Sequence, residues 1–119
     1  MNIGIVGSGY VGTTVAACFA DLGHEVVNVD VDAGVVRRLN AGETPIAEPG
    51  LAALLNRHAG SRLRASTDYG ALRGVEAVFL ALPTPSKADG SIDTTAVEAG
   101  AESLGAVLAD ADADWRPTV

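Results

Sequence analysis

The residues best placed to do chemistry open the chain. Gly7-Ser8-Gly9-Tyr10-Val11-Gly12 is a G-x-G-x-x-G string. It follows a short apolar run and precedes a helical pattern. Asp30 ends the next apolar run at the spacing, about 20 residues, of a dinucleotide-binding fingerprint. Gly7 permits a tight turn, Gly9 leaves room for a pyrophosphate to approach the backbone, and Gly12 lets helix and strand pack closely. Free N–H groups and the positive end of the helix dipole then face the phosphates. Gly7, Ser8, Gly9, Tyr10, Val11 and Gly12 are therefore read together as cofactor-binding. A glycine turn that binds nothing is the alternative, and the Asp30 spacing weighs against it. Asp30 is positioned to accept hydrogen bonds from ribose hydroxyls and to repel a 2′-phosphate, which favours NAD over NADP. Asp32 competes for this role but reads more simply as a helix N-cap. Arg37 and Arg38 lie beyond it and would soften the discrimination.

These residues need elements to hold them. Residues 2–7 form an apolar run stopped by glycine, which reads as a buried strand. Residues 10–22 read as a helix with Val11, Val15, Cys18, Phe19 and Leu22 on its buried face. Residues 25–30 give a second strand and 33–41 a short helix. After the Glu48-Pro49-Gly50 turn comes a helix carrying Leu51, Leu54 and Leu55, then a short strand at Leu63 and Ala65. Residues 75–82 are nearly all apolar, the pattern of a central parallel strand covered on both faces. A polar loop follows over 83–93. Asp93 or Thr94 then caps a last helix with a stripe of Val97, Ala101, Leu104 and Leu108. Residues 115–119 are a candidate start of a fifth strand. Alternation of this kind implies βαβ units with right-handed crossovers. The expected fold is α/β: a Rossmann-type parallel sheet of order 3-2-1-4, helices on both faces, one domain over 1–119. A complete two-half fold needs more strands, so the chain reads as truncated, the front of something longer.

In that order the ligand sits outside the carboxyl ends of strands 1 and 4, where chain direction reverses. Those ends are Gly7 and Leu82, so Pro83-Thr84-Pro85-Ser86 borders the crevice. Two prolines stiffen it. Pro83 and Thr84 join the cofactor-binding set, with the Thr84 hydroxyl towards the nicotinamide-side ribose; an ordinary rigid turn is the alternative.

Composition narrows the partners. The 119 residues carry a net charge of −7, which argues against nucleic-acid backbones and anionic membrane surfaces. The single cysteine, Cys18, excludes a disulfide framework and a Cys-based zinc site. It is expected to be a small buried hydrophobe on the first helix. No metal site is expected. His24 and His58 show no partner at a recognisable spacing. Asp110, Asp112 and Asp114 read as a solvated helix end, and Trp115 as packing against a missing remainder. No apolar run is long enough to span a membrane, and the N-terminus reads as mature structure, so the expected location is the cytoplasm. Lys87 is the only lysine. Acidic, lysine-poor composition resembles proteins of salt-loving microbes, with an ordinary acidic surface as the alternative.

Several segments in order carry a more specific likeness. These are the glycine string, Asn40-Ala41-Gly42-Glu43-Thr44-Pro45-Ile46, Glu48-Pro49-Gly50-Leu51, Thr67-Asp68-Tyr69, Leu82-Pro83-Thr84-Pro85 and Asp89-Gly90-Ser91-Ile92-Asp93. Over essentially the whole chain they resemble the N-terminal domain of the UDP-glucose/GDP-mannose dehydrogenase family, nearest to its UDP-glucose-oxidising members. The resemblance implies NAD-dependent, two-step oxidation of a sugar C6 alcohol to a carboxylate. UDP-glucose would become UDP-glucuronate with two NAD reduced, in nucleotide-sugar metabolism serving polysaccharide biosynthesis. It places cofactor contacts at Val11, Asp30 and Thr84, whereas a lysine common at the position of Val35 is absent. It also implies that the nucleophilic cysteine and the UDP-sugar-binding domains lie outside this chain, and a homo-oligomer is expected. Cys18 is not that cysteine, no catalytic residue is assigned, and the chain alone is expected to bind NAD without turnover. Another nucleotide sugar (UDP-N-acetylmannosamine or GDP-mannose) and a non-catalytic NAD-sensing module are the alternative readings. A truncated sheet would also expose an edge and apolar surface, hence self-association.

Overall fold

A computed structural model describes all residues, 1–119. Four strands, β1 (Asn2–Val6), β2 (Glu25–Val29), β3 (Leu63–Ser66) and β4 (Ala77–Leu80), form one parallel sheet of order β3-β2-β1-β4. This is the expected Rossmann-type arrangement. Helices α1 (Tyr10–Asp21), α2 (Ala33–Asn40) and α3 (Leu51–His58) connect the first three strands, and α4 (Thr95–Asp110) follows β4. A single 3-10 turn, Tyr69–Leu72, stands where a helix before β4 would otherwise be.

The core lies on both faces of the sheet. On one face Ile3, Ile5, Val26 and Leu63 meet residues of α1, α2 and α3. On the other, Val6, Val29 and Val78 meet Leu72, Val75 and Leu104. Trp115 packs against this second cluster and donates to Val75 O (2.7 Å), so it is satisfied within the chain. Asp110, expected as plain solvated charge, pairs with Arg73 (2.7 Å). His58 has a carboxylate partner that spacing did not reveal: Asp21, 36 to 37 residues away, meets both Arg57 and His58.

The buried face of α1 is not the expected one. Gly12, Thr13, Ala16, Ala17 and Ala20 face the sheet. Val11 and Cys18 are exposed, and Leu22 is 74% exposed. Packing distance is the reason. A Cβ at Gly12 would lie 2.0 Å from Gly7 O, so helix and turn touch backbone to backbone. At that separation only small side chains fit beneath the helix, and larger ones are displaced to its flanks, where Val15 and Phe19 are partly buried.

Strand β4 is also shorter than its apolar run and is not covered throughout. Phe79 is 43% exposed. Beyond β4 only Thr118 adds pairing: it bridges Ala77 in parallel and accepts from Val78 N (2.7 Å). A single bridge, and no fifth strand, stands where 115–119 was expected to start one. On α4, Gly100 and Leu104 are the buried residues, while Ala101 faces out. Gly100 replaces Ala101 in the stripe because a Cβ there would strike Leu82 at 2.4 Å.

Candidate functional site

A groove of about 560 Å³ opens at the carboxyl ends of β1 and β4. Its floor is the turn Gly7–Gly9 with Tyr10 and Val11 of α1. Asp30, Asp32 and Val35 form one side, and Ala81, Leu82 and Pro83 the other. Topology puts it here, since β2 and β4 leave β1 in opposite directions and their connections part above its end.

The turn is fixed by the strands on either side. Gly7 N donates to Val29 O (2.8 Å) and Ala81 N to Val6 O (2.8 Å). Gly7 has φ 104°, and a Cβ there would lie 2.3 Å from Ala81 O, so glycine is required twice over. Gly12 is required by its contact with Gly7 O. Gly9 differs. Its φ of −75° is open to any residue, and a Cβ there would meet no atom within 4 Å. It would project from the groove floor. Nothing within the chain requires that position to be bare; a ligand lying on the backbone would.

The start of α1 points the same way. Gly9 is its N-cap and supplies no side-chain cap, and no acidic residue occupies the first turn. No acceptor within the chain meets the N–H groups of Gly9, Tyr10, Val11 or Gly12. The uncapped end is an anion-receptive array of the kind a pyrophosphate fills.

Asp30 stands beside it, half-buried. Its carboxylate accepts from Ser8 N (2.9 Å) and from Asp32 N (2.9 Å), one oxygen each. Both oxygens are thereby oriented and retain free lone pairs for hydroxyls. The Asp30 charge also helps, after burial, to raise the phenol of Tyr69. Asp32 caps α2, accepting from Gly34 N (2.8 Å) and Val35 N (3.2 Å). Its role is thus the capping one, although it still lines the groove. Arg37 and Arg38 lie further out on α2, and with Glu43 beyond its end they line a second hollow that shares Asp32 and Val35 with the groove.

Thr84 is exposed, one residue past the groove lining. Tyr10 donates its phenol to Glu48, tying the Glu48-Pro49-Gly50 turn to the groove; that bond is the first cause of a raised phenol pKa, followed by desolvation and the carboxylate charge. Cys18 lies elsewhere, beside Thr14, Glu48 and Leu54. No group of three or more His, Cys, Asp or Glu gathers to hold a metal, and no helix is long and apolar enough to cross a membrane. Two residues missed in the sequence belong to the site's support: Asn28, wholly buried beneath the turn, and Thr13, which donates to Ser8 O (2.9 Å). Asn28 alone carried a signal, as a polar residue inside an apolar strand.

Fold, bare glycine, open helix end and flanking carboxylate define a dinucleotide-binding α/β domain. The model of the UDP-glucose/GDP-mannose dehydrogenase family, NAD binding domain, matches residues 1–113. The chain belongs to this family and is its NAD-binding domain. The UDP-glucose 6-dehydrogenase AglM of Haloferax volcanii is 61% identical over 112 residues, covering 94% of this chain and 26% of the relative. A GDP-mannose 6-dehydrogenase of Pseudomonas putida is 41% identical, over 92% of this chain and 26% of the relative. Among solved structures, a GDP-mannose dehydrogenase ternary complex from Pseudomonas aeruginosa superposes with TM-score 0.85 at 40% identity, covering 91% of this chain and 25% of that one. A UDP-glucose dehydrogenase from Pyrobaculum islandicum gives 0.84 at 40% identity, covering 90% and 25%. The chain thus spans about a quarter of the length of the relatives it matches.

Proposed function

We propose that this chain is the cofactor-holding part, one domain over 1–119, of an enzyme that oxidises UDP-glucose to UDP-glucuronate at the expense of two NAD. The observation that carries the reading is the uncapped start of α1 at the groove floor with the Asp30 carboxylate beside it. In this reading Gly7 and Ser8 shape the turn on which the pyrophosphate lies, the free amides of Gly9, Tyr10, Val11 and Gly12 take it, and Asp30 takes the adenosine ribose. Pro83 walls the crevice, and Thr84 reaches the nicotinamide-side ribose. Identity of 61% to a UDP-glucose 6-dehydrogenase, against 41% to a GDP-mannose 6-dehydrogenase, supports UDP-glucose as the substrate.

The chain supplies no catalytic nucleophile in this scheme. Cys18 lies off the groove, and the sugar-binding and reacting groups belong to the rest of the protein. The chain alone binds NAD and turns nothing over. The site is the cytoplasm, the context polysaccharide biosynthesis and the assembly a homo-oligomer; exposed Phe79 and Val119 at the β4 edge support self-association of the chain.

Calorimetric titration with NAD and NADP tests the cofactor reading. Binding of NAD with NADP at least about tenfold weaker is expected, from charge repulsion at Asp30. A folded chain that binds neither would overturn it. Substrate choice is tested on the full-length enzyme, by comparing kcat/KM for UDP-glucose and GDP-mannose.

A further inference from the structure

Asn28 is wholly buried, yet it is not part of the groove surface. It lies on β2 opposite Ile5 of β1. Alternation along the strand places it on the face of Val26, which packs with Ile5 and the alanines of α1. A buried amide without partners costs far more than an apolar side chain of similar size. Asn28 is satisfied by three bonds, one to β1 and two to the turn. Its Nδ2 donates to Ile5 O (3.0 Å) and Gly7 O (2.9 Å), and its Oδ1 accepts from Ser8 Oγ (2.5 Å). Ser8 is further held at its carbonyl by Thr13 and at its N–H by Asp30.

The direction of the Ser8 hydroxyl is informative. Ser8 immediately precedes the N-cap, where a serine oxygen is a ready acceptor for free helical N–H groups. Asn28 engages that hydroxyl as a donor facing inward, and the amides of Gly9 to Gly12 stay without an internal acceptor. Resting on the NAD-binding reading above, we propose that Asn28 is a positioning residue for the cofactor turn. From beneath, it holds Gly7 and Ser8 so that the first amides of α1 remain open to a pyrophosphate. Through Ser8 N it also keeps Asp30, two residues on and just past the end of β2, aimed at the ribose. An apolar residue would serve the core equally well; the amide serves the turn.

The test titrates the 119-residue chain with NAD, with thermal melting run alongside. Asn28→Leu removes three bonds while keeping the same branched skeleton of side-chain heavy atoms, and Ser8→Ala removes one. Expected are NAD affinities weaker by about tenfold for Asn28→Leu and about threefold for Ser8→Ala. The double variant binds no more weakly than Asn28→Leu, because the hydroxyl then has no partner to lose. A purely structural asparagine would lower the melting temperature and leave the affinity of the folded chain unchanged; that result overturns the proposal. If Asn28→Leu does not fold, Ser8→Ala decides, and an affinity within about twofold of the parent overturns it. If the parent chain binds no NAD, the NAD-binding reading fails separately. Hydrogen exchange at the Ser8 amide then decides: faster exchange in Ser8→Ala supports the Asn28 hold, and unchanged exchange overturns it.

Discussion

The glycine floor of the groove and the proline loop that reaches it only at Pro83, its glycine wall and its proline wall, are built on opposite plans. The glycine wall is tied across the sheet: Ser8 bonds to Asn28 and Asp30, more than a helix away in sequence, and Gly7 bonds to Val29. The proline wall, residues 83–93, is tied to itself. Lys87 N meets Ser91 O (2.7 Å), Gly90 N meets Lys87 O (3.0 Å) and Asp93 N meets Pro85 O (2.8 Å), with a Ser86–Ile92 bridge. Residues 83–92 are exposed throughout. One wall is dictated by the packing of strands and helix, the other by local turn chemistry. Segments of the second kind open at lower cost than the global fold, so the glycine wall is the rigid reference and the proline wall the adjustable one.

The sharpest way to break this contrast is to add one methyl group to each wall. At Gly12 a Cβ would sit 2.0 Å from Gly7 O, backbone against backbone, with no rotamer to relieve it. Gly12→Ala is expected to cost about 3 kcal/mol or more in chemical denaturation and to abolish NAD binding. Gly90 has φ 87° but nothing within 4 Å of its Cβ position. Gly90→Ala is expected to cost about 1 kcal/mol, the strain of a left-handed alanine. Equal losses at the two positions would mean that the walls are equally constrained.

What the sequence disclosed follows the same division. The glycine turn, Asp30 and the strand order were legible because each follows from a motif with one backbone solution. The packing of α1 was not. Helical periodicity marks Val11, Cys18 and Leu22 as buried because they are the larger apolar residues, whereas the close approach at Gly12 selects Ala16, Ala17 and Ala20. Asn28 was read as one position of an apolar strand; its partners lie 20 to 23 residues away, beyond any local pattern. Thr84 was placed by topology, which locates a loop at the crevice without fixing how far its side chain reaches.

Next in expected size is Asp30→Ala. It removes the partner of Ser8 N and, in the proposed reading, the acceptors of the ribose hydroxyls. NAD affinity should fall about ten- to hundredfold, since bonds to charged groups are worth about 1.5–3 kcal/mol. NADP should lose less, so the ratio of the two affinities narrows in parallel titrations. Thr84→Ala probes the opposite wall. One exposed hydroxyl contributes about 0.5–1 kcal/mol, so NAD binding should weaken only about two- to fivefold, with stability unchanged. A larger loss for Thr84→Ala than for Asp30→Ala would reverse the roles of the two walls.

The smallest effect separates the walls by their chemistry rather than their packing. In the proline wall Asp89 is held below its ordinary value of 3.8 first by the Ser91 hydroxyl and then by the Ser91 N–H. Asp93, at the start of α4, is held below 3.8 in the same way by Thr95. With folded values below the unfolded one, ionisation of these groups stabilises the loop above 3.8, and that contribution is lost as pH falls past 3.8 through the lowered values. Asp89 is exposed and Asp93 partly so, and solvent screens the effect and keeps it local. The Asn28 amide, by contrast, bonds only to neutral groups. Amide resonances of Ser91 and Thr95, followed from about pH 5 to about pH 2, should therefore move with midpoints below 3.8. The Asn28 side-chain resonances should not follow them. If they shift with the same midpoint, the proline loop is coupled to the glycine turn, and the groove closes or loosens as one body.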